Sequence, residues 1–104
     1  MLNGQMLING ALVDGADQLD VINPATGQPF ARIARANSDQ LEEAVAAAKA
    51  AAPAWAALSY EERGAMIAKL ADALDAQKDA IAKLVTTEQG KPLAQAMGEV
   101  IGIS

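Results

Sequence analysis

Cysteine and histidine are both missing from this 104-residue sequence. Their absence excludes a disulfide framework and any zinc site of the Cys/His kind. It also removes a thiol nucleophile and every Ser–His or Cys–His catalytic pair. Aromatic residues make up only 3% of the chain, as single copies of Phe30, Trp55 and Tyr60. Positive charge is scarce too: 8 Lys plus Arg stand against 13 Asp plus Glu, for a formal net charge of -5. A phosphate-binding surface needs clustered Lys and Arg, so no nucleic-acid partner is expected. No apolar run nears the ~20 residues that cross a bilayer, so no membrane partner is expected either. Met1 to Gly10 lacks a basic n-region, which points away from secretion and toward the cytoplasm. Any chemistry done by these residues alone would rest on carboxylates, lysines, hydroxyls or backbone groups.

What is present is a hydrophobic content of 52%, about half of it alanine. Alanine has little apolar surface, so each buried position contributes less than a Leu or Phe would. The length allows one small domain or a piece of a larger one. Up to about Asn37, Gly, Pro, Asn and Asp punctuate short apolar runs, the pattern of strands and turns. Met6 to Val13 reads as a strand bent at Gly10. Asp14 to Asp17 reads as the turn of a hairpin onto Leu19 to Ile22. Asn23-Pro-Ala-Thr-Gly27 reads as a tight turn, because Pro fixes one φ and Gly permits a positive one. Phe30 to Arg35 is bounded like a third strand.

From Asn37 onward the pattern is helical. Asn37 and Ser38 are good N-caps, and Gln40 stands at the capping-box offset from Asn37. Leu41, Val45, Ala48 and Ala52 follow at helical spacing, and Pro53 is expected to end the run. Ser59-Tyr-Glu-Glu62 is a second capping box, followed by Ile67, Leu70 and Leu74 on one face. Asp75 to Gln77 is a break or a kink, since Ile81, Leu84 and Val85 continue the period. Gly90 suits a C-cap, and Pro92 suits the first position of a last helix. The fold class is therefore α+β: a β-hairpin and short strands over residues 1–36, then an α-helical layer over residues 37–104.

Few motifs carry chemistry by themselves. The 23–27 turn could form an anion-binding nest, but a structural turn is the stronger expectation. Glu61, Glu62, Asp72, Asp75 and Asp79 interleave with Arg63, Lys69, Lys78 and Lys83, as on a solvated, salt-paired face. Gly90-Lys91 lacks the spacing of a phosphate-binding loop. The helices after Ser59 lack the Arg/Lys-rich second helix of a DNA-binding pair. Trp55 is expected as a core anchor between helices.

The order of these signals says more. Leu-Ile-Asn-Gly10 is followed by Val21-Ile-Asn-Pro-Ala-Thr-Gly27, an alanine-rich helix reaching Trp55, Glu62-Arg63, and Thr87-Glu-Gln-Gly-Lys-Pro-Leu-Ala-Gln-Ala-Met-Gly-Glu-Val100. From Leu7 to Val100 this resembles the N-terminal segment of the NAD(P)-dependent aldehyde dehydrogenase superfamily. The resemblance implies an incomplete portion of an α/β cofactor-binding domain over residues 1–104. It further implies an enzyme that oxidises an aldehyde to an acid with NAD or NADP, through a Cys thiolate and a Glu-activated water, and that assembles as a homo-oligomer. None of the family's nucleophile, base, oxyanion or cofactor contacts matches a position here, so the isolated chain is expected to be inactive and to bind no NAD(P) alone.

Some relatives hold a structural monovalent cation by backbone carbonyls before the Asn-Pro turn and an acidic residue before Gly-Lys-Pro. The matching positions are Val21, Ile22 and Glu88. Carbonyl and carboxylate oxygens suit a hard cation, although Glu replaces the Asp of several relatives and changes the reach by one methylene. The Glu88-Gln-Gly-Lys-Pro-Leu93 run is similar to that of succinate-semialdehyde dehydrogenases. An alternative of another class stands beside this one: a free-standing, non-catalytic helical module that mediates interaction or oligomerisation.

Overall fold

A computed structural model describes residues 1–103, and Cα packing divides the chain into two compact units. The first comprises Met1–Ile22 and Pro29–Ala57, and the second Asn23–Gln28 and Leu58 onward. Among the described residues no helix is long and apolar enough to cross a membrane.

The first unit begins with three short strands, β1 (Leu2–Gly4), β2 (Met6–Ile8) and β3 (Ala11–Val13). The last two form an antiparallel hairpin pairing Met6 with Val13 and Ile8 with Ala11. The single bent strand expected over Met6–Val13 is thus two strands. Asn9 at φ 51° and Gly10 at φ 78° occupy the left-handed region together. That is the requirement of the two-residue mirror-image turn whose twist matches paired strands, and Asn-Gly is its favoured dipeptide. β4 (Asp17–Asn23) and β5 (Gln28–Arg35) follow, in a separate sheet of order β1-β5-β4. Only four residues connect β4 to β5, which permits an antiparallel pair and no parallel crossover.

The expected Asp14–Asp17 hairpin does not form, because β3 and β4 lie in different sheets. Gly15 instead passes close to the backbone of Arg35: a Cβ built there would lie 2.5 Å from its nitrogen. β1 was not legible as a strand. It runs parallel to β5, with Leu2 opposite Ala31 and Gly4 opposite Ile33, a pairing that a three-residue segment cannot announce locally.

The long helix α1 (Ser38–Ala57) starts at the expected cap. Asn37 Oδ1 accepts the Gln40 N–H at 2.9 Å, and Gln40 Oε1 accepts the Asn37 N–H at 3.3 Å. Gln40 also clasps the preceding loop, accepting the Ala16 N–H and donating to the Asp14 carbonyl, both at 2.9 Å. The helix does not stop at Pro53 but carries it inside. Proline there frees the Lys49 carbonyl, and on an exposed face water can satisfy that group. Trp55, expected as an anchor, is 42% exposed.

In the second unit, α2 (Tyr60–Asp75) opens on a complete capping box. Ser59 Oγ accepts the Glu62 N–H at 3.1 Å, and Glu62 Oε2 accepts the Ser59 N–H at 2.8 Å. Such a box satisfies two helix-end donors reciprocally. Ala76 and Gln77 then make a true break before α3 (Lys78–Gln89). The last helix is α4 (Leu93–Ile103). The core of this unit is the seam between α3 and α4, where Ala82, Ala96 and Val100 are buried and Ile81, Val85 and Met97 pack against them. Small residues at the centre allow a close helix approach.

Candidate functional site

The two segments that carry the family resemblance meet in the second unit. In the turn, the Asn23 carbonyl accepts the Thr26 and Gly27 N–H groups at 3.2 and 2.8 Å. Asn23 Oδ1 accepts the Ala25 N–H at 2.9 Å, and Thr26 Oγ1 accepts the Gln28 N–H at 3.3 Å. Each donor from Ala25 to Gln28 therefore has a partner inside the turn. An anion-binding nest needs those N–H groups free and converging, so this turn is structural.

The second segment is the corner between α3 and α4. Gly90 caps α3 at φ 76°, donating its N–H to the Thr86 carbonyl at 2.9 Å. The Pro92 carbonyl accepts the Gln95 and Ala96 N–H groups and so starts α4. A Cβ built on Gly90 would lie 3.1 Å from Pro24 Cγ. Glycine at position 90 thus meets two demands, a left-handed cap and close approach of the Asn-Pro turn. Any side chain there meets a conformational cost of about 1–2 kcal/mol before the crowding is counted. Lys91 Nζ forms an ion pair with Glu99 Oε1, which spans the corner onto α4. That pairing commits the lysine side chain, which is 24% exposed.

The remaining charged groups are exposed or, like Arg63 and Lys78, half-buried. Glu61, Asp72, Asp75 and Asp79 are exposed, Lys78 Nζ bonds Asp75 Oδ1 at 3.1 Å, and Arg63 lies over the Tyr60 ring at 4.9 Å while donating to the Leu58 carbonyl. Among the described residues no group of three or more Asp or Glu side chains gathers as a metal centre. Of the cation-ligand positions, Val21 and Ile22 lie on β4 in the first unit, and Glu88 is exposed near the end of α3 in the second. Thr86 Oγ1, a group that sequence patterning did not single out, is buried without a hydrogen-bond partner.

The first unit contains a groove of about 300 Å³, lined by Leu7, Ile8, Asn9 and Gly10 on one side and by Ala44, Ala47, Ala48 and Ala51 of α1 on the other. It holds no ionisable or nucleophilic side chain and so has no means of acid–base or covalent catalysis.

Residues 12–104 match the model of the aldehyde dehydrogenase family, and the chain belongs to that family. It is 39% identical over 98 residues to the succinate-semialdehyde dehydrogenase [NADP(+)] of Escherichia coli K12, covering 92% of this chain and 20% of that protein. The same identity and coverage relate it to a glutarate-semialdehyde dehydrogenase of Pseudomonas putida KT2440. Among solved structures, an aldehyde dehydrogenase from Brucella melitensis biovar abortus 2308 superposes with a TM-score of 0.91 at 38% identity, over 96% of this chain and 21% of that one. An NADP-dependent glyceraldehyde-3-phosphate dehydrogenase from Bacillus halodurans, solved with NADP, gives 0.92 at 28% identity with the same coverage. The chain spans about a fifth of the length of the relatives it matches.

Proposed function

We propose that these residues are the scaffold portion of an enzyme that oxidises an aldehyde to a carboxylic acid with NAD or NADP, within an incomplete cofactor-binding domain over residues 1–104. The observation that carries this reading is the contact of the Asn23–Gly27 turn with the Gly90–Pro92 corner, which joins the two most specific family motifs. The isolated chain is expected to bind no dinucleotide. The helix starts at Asn37 and Ser59 are filled by their own Gln40 and Glu62, and Lys91 is paired with Glu99. Without a cysteine, the chain also supplies no thiolate for attack on a carbonyl. Its contribution is therefore to shape and stabilise, while nucleophile, general base and cofactor contacts come from other residues of the enzyme.

The names of the relatives from E. coli and P. putida support a semialdehyde, a substrate with an aldehyde at one end and a carboxylate at the other. The Glu88–Leu93 run supports the same class. Exposed Leu7, Leu12, Ile67 and Leu70 support burial against further protein, as in the homo-oligomer that the family resemblance implies. The Val21 and Ile22 carbonyls and the Glu88 carboxylate belong to this reading as ligands of a monovalent cation, on the strength of the family motif. A free-standing interaction module is disfavoured by the length of the relatives matched.

Complementation tests the proposal. The isolated chain, given succinate semialdehyde with NAD or NADP, is expected to form no reduced cofactor. Co-expressed with a family enzyme from which the matching fifth has been deleted, it is expected to restore turnover. Turnover by the chain alone, or failure to restore it by a chain that binds the truncated enzyme, would overturn the scaffold assignment.

A further inference from the structure

The sequence contains four asparagines, Asn3, Asn9, Asn23 and Asn37, and two of them precede glycine. We propose that Asn9 is a site of spontaneous deamidation, selected from these four by the fold. In that reaction the Gly10 backbone nitrogen gives up its proton and attacks Asn9 Cγ. The new N–Cγ bond forms as the Cγ–Nδ2 bond breaks, and the side-chain nitrogen leaves with the proton as ammonia. Water then opens either carbonyl of the cyclic imide, leaving an aspartyl or isoaspartyl linkage. No electrons are exchanged, and water is the one co-reactant.

The four sites differ in whether the backbone can reach the attacking geometry. Asn23 is followed by Pro24, which has no N–H to lose. Asn37 is held as a helix cap, its Oδ1 accepting the Gln40 N–H, and Ser38 already begins α1. Asn3 lies within β1, opposite Arg32 in the parallel ladder with β5, so Gly4 is fixed in an extended strand opposite Ile33. Asn9 alone stands at a turn tip. The β2–β3 ladder closes at Ile8 and Ala11, so Asn9 and Gly10 lie outside it. Both are exposed, and a Cβ on Gly10 would meet nothing within 4 Å. The tip therefore has the open space and side-chain access that ring closure needs. Without a side chain at position 10, nothing hinders approach of the nitrogen.

The product has a structural consequence. Asn9 and Gly10 form part of one wall of the groove against α1, so the reaction places a carboxylate on an otherwise apolar rim. An isoaspartyl linkage also adds a methylene to a two-residue turn, whose length sets the strand register.

The test is incubation of the folded chain at mildly alkaline pH, followed by mass spectrometry for a gain of about one dalton. Met6 separates Asn3 from Asn9, so cleavage there and fragmentation of the peptides assign each event. Isomerisation at Asp14-Gly15 leaves mass unchanged and does not confuse the readout. Asn9 is expected to convert about tenfold faster than Asn3 in the folded chain, with the two rates converging in denaturant, because strand pairing protects only one of them. Equal rates in the folded chain, or an Asn9 that stays intact while Asn3 converts, would overturn the proposal.

Discussion

The two units reach order by different means. In the strand-bearing unit, only Ile8 and Ala31 are buried, and α1 buries none of its twenty residues. Its shape is set by turn chemistry, by the close passage of Gly15 beside Arg35 and by the Gln40 side chain that ties Asp14 and Ala16 to the start of α1. The helical unit has a contiguous apolar seam between α3 and α4, with Ala82 and Ala96 fully buried. A surface helix with no fully buried residue derives less stability from packing, and propensity alone leaves helices marginal. The exposed apolar positions of α1 and α2, among them Leu41, Val45, Ile67 and Leu70, are thus the faces on which further protein would act most strongly.

Substitutions in each unit can break or sharpen this contrast. The largest effect is expected from Ala82→Leu, since extra methylenes at a fully buried position force the helices apart. A loss of about 1–3 kcal/mol is expected, read by urea denaturation and by faster amide exchange along α3 and α4. Tolerance of the leucine would show that the seam is loose and erase the difference between the units. A smaller effect belongs to Gln40→Ala, which removes the clasp and leaves the Ala16 N–H to water. About 1 kcal/mol is expected, with faster exchange at Ala16 and Asn37 and unchanged protection in α3. Loss of protection in both units would mean that they unfold as one. The smallest effect is expected for Asp20→Asn. The carboxylate bonds Arg32 Nε at 2.9 Å, but both side chains are about half exposed. Water and salt screen such a pair, so the change stays below about 0.5 kcal/mol, as a thermal melt would show.

Much of the helical half was legible because its signals are local. Asn37 with Gln40, Ser59 with Glu62, and Gly90 before Pro92 are cap chemistries that complete themselves within a few residues, and each forms as read. The strand half was less legible. The Asn9-Gly10 turn was written in the sequence, yet the apolar run around it reads equally as one bent strand. Pro53 marks a helix end by its chemistry, yet α1 continues through it on an exposed face. Trp55 has the size of an anchor, but its own unit leaves it 42% exposed. The site followed the same division. That the Asn23–Gly27 and Glu88–Pro92 segments matter was visible in their order. That they touch, through Pro24 and Gly90, required the fold.

What the sequence determined by itself is therefore the set of caps, turns and family motifs, because hydrogen bonds between near neighbours depend on residue type and spacing alone. It also determined the chemistry that is absent, since a chain without cysteine carries no thiolate in any conformation. Only the tertiary structure decided that Leu2–Gly4 joins Ala31–Ile33, that Gly15 slips past Arg35 and that Pro24 closes over Gly90. Those contacts link positions from about twenty to more than sixty residues apart. The entropy of closing such loops is recovered only when the whole fold forms, so no local window of sequence displays them.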